Sequence, residues 1–186
     1  RLPGCEPRPF SYGDFELARE ALQGVDALFM VSAAESPTRE QEHLTLVRAA
    51  QAAGIQHLVY LSFAEARPDS TFTLARTHAI TEEAIRRSTM KHTFVRDNFY
   101  SELMARLADA EGVICGPAEQ GRVACVAQRD AAQAVANIMA DIAAGGTQHQ
   151  GRTYTLTGNQ SLSMEDIARI LTTCTGKPHR FHNETI

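Results

Sequence analysis

The sequence has few of the residues that would indicate a metal or redox centre. Its four cysteines are dispersed and form no Cys-x-x-Cys pair; they are Cys5, Cys115, Cys125 and Cys174. Dispersed cysteines favour reduced thiols in a cytoplasmic protein over a disulfide framework or a zinc site. The histidines show neither His-x-His nor His-Glu-x-x-His spacing. We therefore expect no metal site and no metal-dependent hydrolase.

Long apolar runs and an excess of positive charge are also missing. No stretch approaches the roughly 18 apolar residues of a membrane-spanning helix, and no signal peptide is visible, so no membrane insertion is predicted. The 18 lysines and arginines are outnumbered by 22 aspartates and glutamates, which gives a formal net charge of -4. Because binding of nucleic acid over a broad surface needs a basic face, no nucleic-acid partner is expected.

What the chain does contain is a short apolar run followed by a helix-like segment, repeated along its length. This alternation is typical of an α/β fold with a parallel sheet. Three runs are predicted to be buried strands, at 27–31, 57–61 and 93–96. Shorter strands are expected near 113–114 and at 123–126 and 154–157, and a polar loop is expected over 62–70.

Capping residues predict where several helices begin. Asp14 precedes a helix that should end near Gly24, and Asp130 is interpreted as a helix cap rather than as an acid or base. Two pairs have capping-box spacing, Thr38 with Gln41 and Ser163 with Asp166. Further helices are predicted over 74–85 and 99–109.

Several segments, in this order and spacing, resemble the NmrA-like branch of the atypical short-chain dehydrogenases/reductases, and within it the NAD(P)H:quinone oxidoreductase type. The resemblance covers nearly the whole chain, and no single segment carries it alone. The segments are Tyr12–Asp14, Leu22–Asp26, Ala52–Ile55, Thr77–Glu82, Phe94–Glu102, Arg129–Ala132 and Tyr154–Gly158.

The resemblance implies a Rossmann-type parallel sheet, N-terminally incomplete, with a small C-terminal α+β substrate lobe. Residues 1–150 would form the partial NAD(P)-binding domain. Residues 151–186 would belong to the lobe, which we expect to be discontinuous and to include 99–123. The family's first strand and glycine-rich loop should precede Arg1, since no Gly-x-Gly-x-x-Gly occurs here. We therefore expect sequence upstream of Arg1 and little activity from this chain alone.

The family also implies NADP or NAD as cofactor and hydride transfer to a quinone or similar small acceptor. The Tyr-x-x-x-Lys pair of classical reductases does not occur. A two-electron acceptor can take its protons from solvent, so that absence fits an oxidoreductase. It fits equally a non-catalytic dinucleotide-binding redox sensor of the NmrA type. An incomplete sheet should expose a strand edge, so we expect this chain to aggregate or to form a homo-oligomer.

Two strand ends are predicted to contact the cofactor. Val31, Ser32 and Ala33 follow the first strand, where small residues would let a ribose or phosphate approach the backbone. Ser62 and Phe63 follow the second strand. The alternative is that both segments are ordinary turns.

His78, Asn98 and Tyr100 are the remaining candidates. His78 stands where many relatives have lysine and is predicted to bind the cofactor and to be a candidate catalytic residue; alternatively, it is a core histidine beside Leu74 and Ile85. Asn98 is predicted to bind the nicotinamide carboxamide or the substrate, or else to be a helix N-cap. Tyr100 is predicted to contact an aromatic substrate and is the second catalytic candidate. We expect Ser32, Ser62, His78 and Asn98 to share one rim of the sheet.

Overall fold

The computed structural model describes residues 4–185. The predicted start of the cofactor domain at residues 1–3 and the last residue of the predicted lobe lie outside this range. The helices are α1 (Phe15–Ala21), α2 (Arg39–Ala53), α3 (Thr73–Arg86), α4 (Ser101–Met104), α5 (Gln128–Ala143) and α6 (Met164–Thr175). The strands are β1 (Ala27–Met30), β2 (His57–Phe63), β3 (Lys91–Asp97), β4 (Val113–Gly116), β5 (Arg122–Val123), β6 (Arg152–Thr155), β7 (Leu162–Ser163) and β8 (Arg180–Asn183).

A four-stranded sheet with the order β1-β2-β3-β6 carries the fold. β1 and β2 pair in parallel, with Ala27 opposite His57 and Met30 opposite Tyr60. Because α2 connects these parallel neighbours, the chain makes the β-α-β crossover that the alternating pattern predicts. The α/β class with a parallel sheet is therefore confirmed.

The chain divides into two compact units. The first contains the residues up to Arg96 together with Val135–Tyr154, and the second contains Asp97–Ala134 and the residues from Thr155 onward. The second unit includes two small sheets, the parallel pair β4–β8 and the antiparallel pair β5–β7. The assignment of 1–150 to cofactor binding and of 151–186 to a substrate lobe stays a prediction.

Each unit has a hydrophobic core of its own. In the first unit, side chains of α2 pack against the sheet; Leu46, Ala49 and Ala50 on the helix and Leu58 and Tyr60 on β2 are each at most 1% exposed. In the second unit, Ile167 and Ala168 of α6 pack with a smaller set of buried residues, Met104, Ile114 and Cys125. The larger of the two cores therefore belongs to the first unit.

Strand boundaries differ from the expectation in four places, one of which is β6: it covers Arg152–Thr155, two residues before the predicted 154–157. β1 ends at Met30, and only Met30 of its four residues is fully buried, because β1 lies at the end of the strand order. Val31 is outside the strand and 45% exposed. β2 extends through Ser62 and Phe63, so the predicted loop at 62–70 begins too early. The predicted strand 123–126 is reduced to β5, and Val126 forms an isolated bridge to Tyr100.

Two predicted helix caps are wrong for identifiable reasons, although α2 begins directly after Thr38 as expected. Thr38 makes no capping bond, because its backbone is in the αR region (φ -95°, ψ -4°) rather than in the extended conformation of a capping residue, and its hydroxyl donates to Glu42 Oε1 at 2.7 Å. α5 begins at Gln128, so Asp130 lies inside the first turn and is not its cap. The carboxylate of Glu102 accepts the Gln128 N–H at 3.1–3.2 Å instead.

The predicted helix at 99–109 is also wrong, since α4 is only four residues long. The side chain of Asp109 accepts hydrogen bonds from the backbone N–H groups of Glu111 and Val113, at 3.0 and 2.8 Å. This turn reverses the chain, and Ala108 then pairs with Ile114. A side chain that bonds its own downstream backbone competes with helix formation, which explains the early end of α4.

Candidate functional site

The segment Val31–Ala33 follows the carboxyl end of β1. Side chains of α2 and the side chain of Tyr12 hydrogen-bond its backbone. The Ala33 N–H donates to His43 Nε2 at 2.8 Å, and Arg39 Nε donates to the Ala33 carbonyl oxygen at 2.9 Å. Arg39 and His43 are four residues apart on α2, so both project from one face of that helix. The Tyr12 hydroxyl donates to the Val31 carbonyl at 2.6 Å. Both backbone groups of Ala33 are thus satisfied by α2; we call Arg39, His43 and the Ala33 peptide the Ala33 clamp.

Hydrogen bonds connect the Ala33 clamp to α3 and β2, and the donor and the acceptor of each bond can be assigned. Arginine can only donate, so Arg39 Nη2 donates to His78 Nε2 at 3.0 Å, which leaves His78 Nδ1 to donate to the Tyr60 hydroxyl at 2.9 Å. His43 accepts at Nε2, so its Nδ1 donates to Thr81 Oγ1 at 2.9 Å. Each imidazole therefore uses one nitrogen as donor and the other as acceptor, as a neutral ring does.

Burial keeps both imidazoles neutral. Desolvation, with the positive charge of Arg39 adding to it, lowers the pKa of His43 to about 4. The same two causes, in the same order, lower the pKa of His78 to about 3. Burial also raises the pKa of the Tyr60 hydroxyl well above its ordinary value. The clamp and its extension are consequently uncharged at neutral pH except for Arg39.

Arg39 is an unusual residue to find in this position. It is 4% exposed, and two of its nitrogens contact a carbonyl oxygen and an imidazole, neither of which carries a charge. Its Nη1 has no hydrogen-bond partner among residues 4–185. A buried cation with an unsatisfied N–H costs free energy, so its retention calls for a functional explanation.

Ser62, predicted to contact the cofactor, is buried beside the carboxylate of Glu82. Its hydroxyl donates to Glu82 Oε1 at 2.6 Å. Arg96 binds both Glu82 oxygens at 2.8 and 2.7 Å, and Arg86 adds a contact at 2.6 Å. Burial alone would raise the pKa of Glu82, but the hydrogen bonds from Arg96 and Ser62 bring it below its ordinary value. Phe63, the other predicted residue here, stacks near the rings of Phe72 and His78.

In the second unit, Asn98 and Tyr100 flank a carboxylate that the sequence reading missed. Asn98 Oδ1 accepts the Phe99 N–H at 2.8 Å, and the N-cap of α4 is Tyr100 rather than Asn98. The Tyr100 hydroxyl donates to Asp97 Oδ2 in a short hydrogen bond. Burial raises the pKa of Asp97 to about 6 against the opposing effect of that bond. Burial and Asp97 together raise the pKa of Tyr100.

The structure connects some of the predicted residues of the first unit to one another. Arg39 links the Val31–Ala33 segment to His78, and Glu82, which binds Ser62, lies one turn beyond His78 on α3. Asn98 and Tyr100 belong to the second unit. The shared rim for Ser32, Ser62, His78 and Asn98 stays a prediction.

The missed residues had a weak signal in the sequence. Arg39 and His43 extend the i, i+3 and i, i+4 series of the apolar residues Val47 and Ala50 toward the start of α2, so two polar side chains fall on the buried stripe of that helix. Asp97 directly follows the predicted strand 93–96 and stands directly before Asn98. The missed residues could have been identified by one feature. They are polar side chains at positions that the periodicity of the helix or strand assigns to the core.

Two cavities of the first unit lie away from these residues. One of about 480 Å³ lies between α2 and α3, lined by Leu44, Arg48 and Arg87 among others. Another of about 520 Å³ is lined by Ala27 and His57, the first residues of β1 and β2. Ligands of open α/β sheets bind at the carboxyl ends of the strands. Neither cavity is therefore the expected cofactor cleft.

Two further features concern the described residues 4–185. No helix in this range is both long and apolar enough to cross a membrane. In the same range, no three or more His, Cys, Asp or Glu side chains are grouped so that they could hold a metal ion.

A parallel sheet joined by a β-α-β crossover, with a fixed segment of small residues at the carboxyl end of its first strand, defines a Rossmann-type α/β protein. Sequence comparison identifies a family as well as a fold. The model of the NmrA-like family matches residues 11–185, and the chain belongs to that family.

Several characterised proteins are similar to this chain. Quinone oxidoreductase 2 of Escherichia coli strain K12 is 33% identical over 183 residues, which are 97% of this chain and 62% of that protein. A (4-alkanoyl-5-oxo-2,5-dihydrofuran-3-yl)methyl phosphate reductase of Streptomyces griseus is 36% identical over 97% of this chain and 63% of its own length. The crystal structure of triphenylmethane reductase from Citrobacter sp., complexed with NADP(H), has a TM-score of 0.85 and 29% identity over 98% of this chain and 64% of its own. The chain thus spans less than two thirds of each relative.

Proposed function

We propose that this protein is an NAD(P)H-dependent oxidoreductase that transfers hydride to a quinone or a similar conjugated small molecule. The observation that carries the proposal is identity of 33% and 36% to two reductases across 97% of the chain. Both relatives are named for reduction, which favours an enzyme over the non-catalytic redox sensor.

The residues at the end of β1 fit a dinucleotide. Ser32 and Ala33 are small, Val31 is 45% exposed, and a buried guanidinium with an unsatisfied Nη1 lies directly behind the segment. Val31, Ser32 and Ala33 would contact the cofactor, which supplies hydride when bound. The Ala33 clamp would hold their backbone in place before the cofactor arrives. Ser62, through Glu82, would fix the neighbouring strand end.

Asn98 and Tyr100 would contact the acceptor. The Asn98 amide can donate a hydrogen bond to a carbonyl oxygen, and the Tyr100 ring offers a flat face to a conjugated molecule. Tyr100 and the carboxyl of Asp97 could hold a proton at the Tyr100 oxygen for the reduced product. Because a quinone also takes protons from water, we expect this contribution to be modest.

The wider assignments follow from the same proposal. Residues 1–150 would bind the dinucleotide, and residues 151–186, with 99–123, would belong to the substrate lobe. Dispersed cysteines, of which Cys5, Cys115 and Cys174 are exposed and unpaired, favour a cytoplasmic location. Self-association through the β1 edge would give a homo-oligomer.

The test is turnover by the protein expressed from its complete coding sequence. NADPH and NADH are each supplied with a small benzoquinone, and the loss of absorbance at 340 nm is followed. Quinone-dependent oxidation with saturation in both substrates supports the proposal. Tight dinucleotide binding measured by calorimetry, with no oxidation of the reduced cofactor by a panel of quinones, furanones and triarylmethane dyes, identifies a sensor and overturns it.

A further inference from the structure

We propose that Arg39 and His43 are positioning residues that pre-set the Val31–Ala33 segment for the dinucleotide, and that His78 belongs to their support rather than serving as a proton donor. The inference rests on the proposed function, since it names the residues that shape the same cofactor site. It assigns a role to two residues of α2 whose side chains hydrogen-bond the backbone of the segment.

The first argument is the way in which the Ala33 peptide is held. One N–H and one carbonyl of the same residue are bonded to two side chains one turn apart on α2, at 2.8 and 2.9 Å. An α-helix is rigid over one turn, so these two bonds fix the orientations of the two peptide units on either side of the Ala33 Cα. A segment that the Tyr12 hydroxyl also holds at Val31 needs little reordering when a ligand binds.

The second argument concerns His78. Its side chain is buried, with 7% of the residue exposed, and both ring nitrogens are occupied, one by Arg39 and the other by Tyr60. A general acid must reach the reacting atom within about 3 Å, directly or through one water. His78 would have to break a hydrogen bond and leave Arg39 or Tyr60 unsatisfied to do so. Its geometry instead lets it anchor the outer end of the Arg39 side chain.

The third argument is that the position requires arginine. Nε bonds Ala33 while Nη2 bonds His78, so a planar fork spans two acceptors on different elements. A lysine ammonium presents its donors at a single point and cannot span both. The guanidinium also stays protonated when buried, which keeps the direction of every bond in the network fixed.

Steady-state kinetics of Arg39→Lys test the clamp, with Arg48→Lys as the matched control on the exposed face of the same helix. We expect Arg39→Lys to raise the KM for NAD(P)H about tenfold, the effect of losing one charge-assisted hydrogen bond, with kcat within about twofold. Arg48→Lys should change neither. An unchanged KM, or a loss confined to kcat, overturns the positioning role.

A second pair of variants keeps the test decisive if Arg39→Lys does not fold. In His43→Gln, the amide can still accept from Ala33 and donate to Thr81, whereas His43→Leu can do neither. His43→Leu should raise the KM for NAD(P)H, and His43→Gln should recover most of the wild-type value. Equal effects of the two substitutions contradict the clamp.

His78→Gln separates support from acid catalysis. Glutamine keeps one acceptor for Arg39 and one donor for Tyr60 but has no titrating group. We expect kcat within about threefold of wild type and an unchanged pH profile of kcat, whereas loss of a general acid costs about 10²–10⁴-fold. A loss of that size, with the disappearance of a limb of the pH profile, would show that His78 transfers a proton.

Failure of the proposed function would be visible separately. If the wild-type protein binds dinucleotide without turnover, the same variants are compared by calorimetric Kd for NADPH. A tenfold weaker Kd for Arg39→Lys, with Arg48→Lys unchanged, then supports the clamp in a binding protein. Equal Kd values overturn it.

Discussion

Glu82 joins three elements of the first unit at one buried carboxylate. Its side chain is 1% exposed and accepts hydrogen bonds from Ser62 on β2, Arg86 on α3 and Arg96 on β3. Removing the Glu82 carboxylate would leave its hydrogen-bond donors without an acceptor and its arginine partners without a counter-charge. Glu82 therefore stabilises the fold mainly by neutralising these arginines.

Replacement of Glu82 should therefore be costly. We expect Glu82→Leu to lower the free energy of unfolding by about 3–5 kcal/mol, because Arg96 and Ser62 lose their acceptor in a buried site. The neighbouring Glu83 pairs with Arg87 at 2.7 Å, but the two side chains are 49% and 78% exposed, and Glu83→Gln should cost less than about 1 kcal/mol. Urea denaturation of both variants measures the difference. Similar losses for the two would contradict a structural role for the buried carboxylate.

The neutral histidines of the Ala33 clamp make stability depend on pH. In the unfolded chain each histidine has a pKa near 6.5, while burial and Arg39 lower the folded values to about 4 for His43 and about 3 for His78. The folded state binds these protons more weakly. The stability they contribute is fully present above about pH 6.5 and is lost as pH falls through that value toward the folded pKa values.

We expect the free energy of unfolding to fall by about 2 kcal/mol for each of these histidines between pH 8 and pH 5. Urea titrations at half-unit intervals of pH give the slope. His43→Gln should make the slope shallower, because one imidazole with a lowered pKa is removed. His182→Gln, at an exposed position of β8, is the matched control. A wild-type slope that is retained in His43→Gln argues against the neutral network.

At the scale of elements, two helices that look alike in sequence begin differently. At α6, the Ser163 hydroxyl accepts the Asp166 N–H and Asp166 accepts the Ser163 N–H, at 3.2 and 3.1 Å, so the predicted capping box is confirmed. At α2, the Thr38 hydroxyl faces Glu42 and caps nothing. The spacing is the same, but the backbone differs: Ser163 is extended (φ -80°, ψ 170°), whereas Thr38 is in the αR region.

Alanine substitution should reveal this difference. Ser163→Ala should lower the free energy of unfolding by about 1 kcal/mol, since a backbone N–H at the start of α6 loses its acceptor. Thr38→Ala removes only a contact between exposed side chains and should cost no more than a few tenths of a kcal/mol. Urea denaturation of both variants, under the same conditions, gives the comparison. A loss at Thr38 as large as that at Ser163 would mean that Thr38 caps α2 in solution.

These elements show which features of the structure can be predicted from the sequence alone. Asp14 caps α1 as predicted, because its carboxylate and the Leu17 N–H are three residues apart and no distant residue competes. The buried partners of Arg39 come from α3 and from the segment after β1, up to 39 residues away, and no local pattern specifies them. Local rules therefore predicted most helix and strand positions, whereas the hydrogen-bond network behind the candidate site needed the tertiary structure.

At the scale of the molecule, the sheet of the first unit ends at β1. Its residues Ala27, Leu28 and Phe29 are only partly covered, and Val31 follows them with 45% of its surface exposed. Strand edges with exposed apolar side chains promote pairing between copies of a chain, and a lysine placed at the edge opposes it.

We accordingly expect this 186-residue chain to associate as its concentration rises, and Val31→Lys to shift it toward the monomer. Light scattering coupled to size exclusion, from micromolar to near-millimolar protein, gives the mass at each concentration. Ile170→Lys is the matched control, because Ile170 is a comparably exposed apolar residue, 38% exposed, on helix α6 of the second unit rather than next to the edge strand β1. If association arises from apolar surface in general, both lysines will weaken it equally. If the edge of β1 is the cause, only Val31→Lys will, and a wild-type chain that stays monomeric throughout contradicts both explanations.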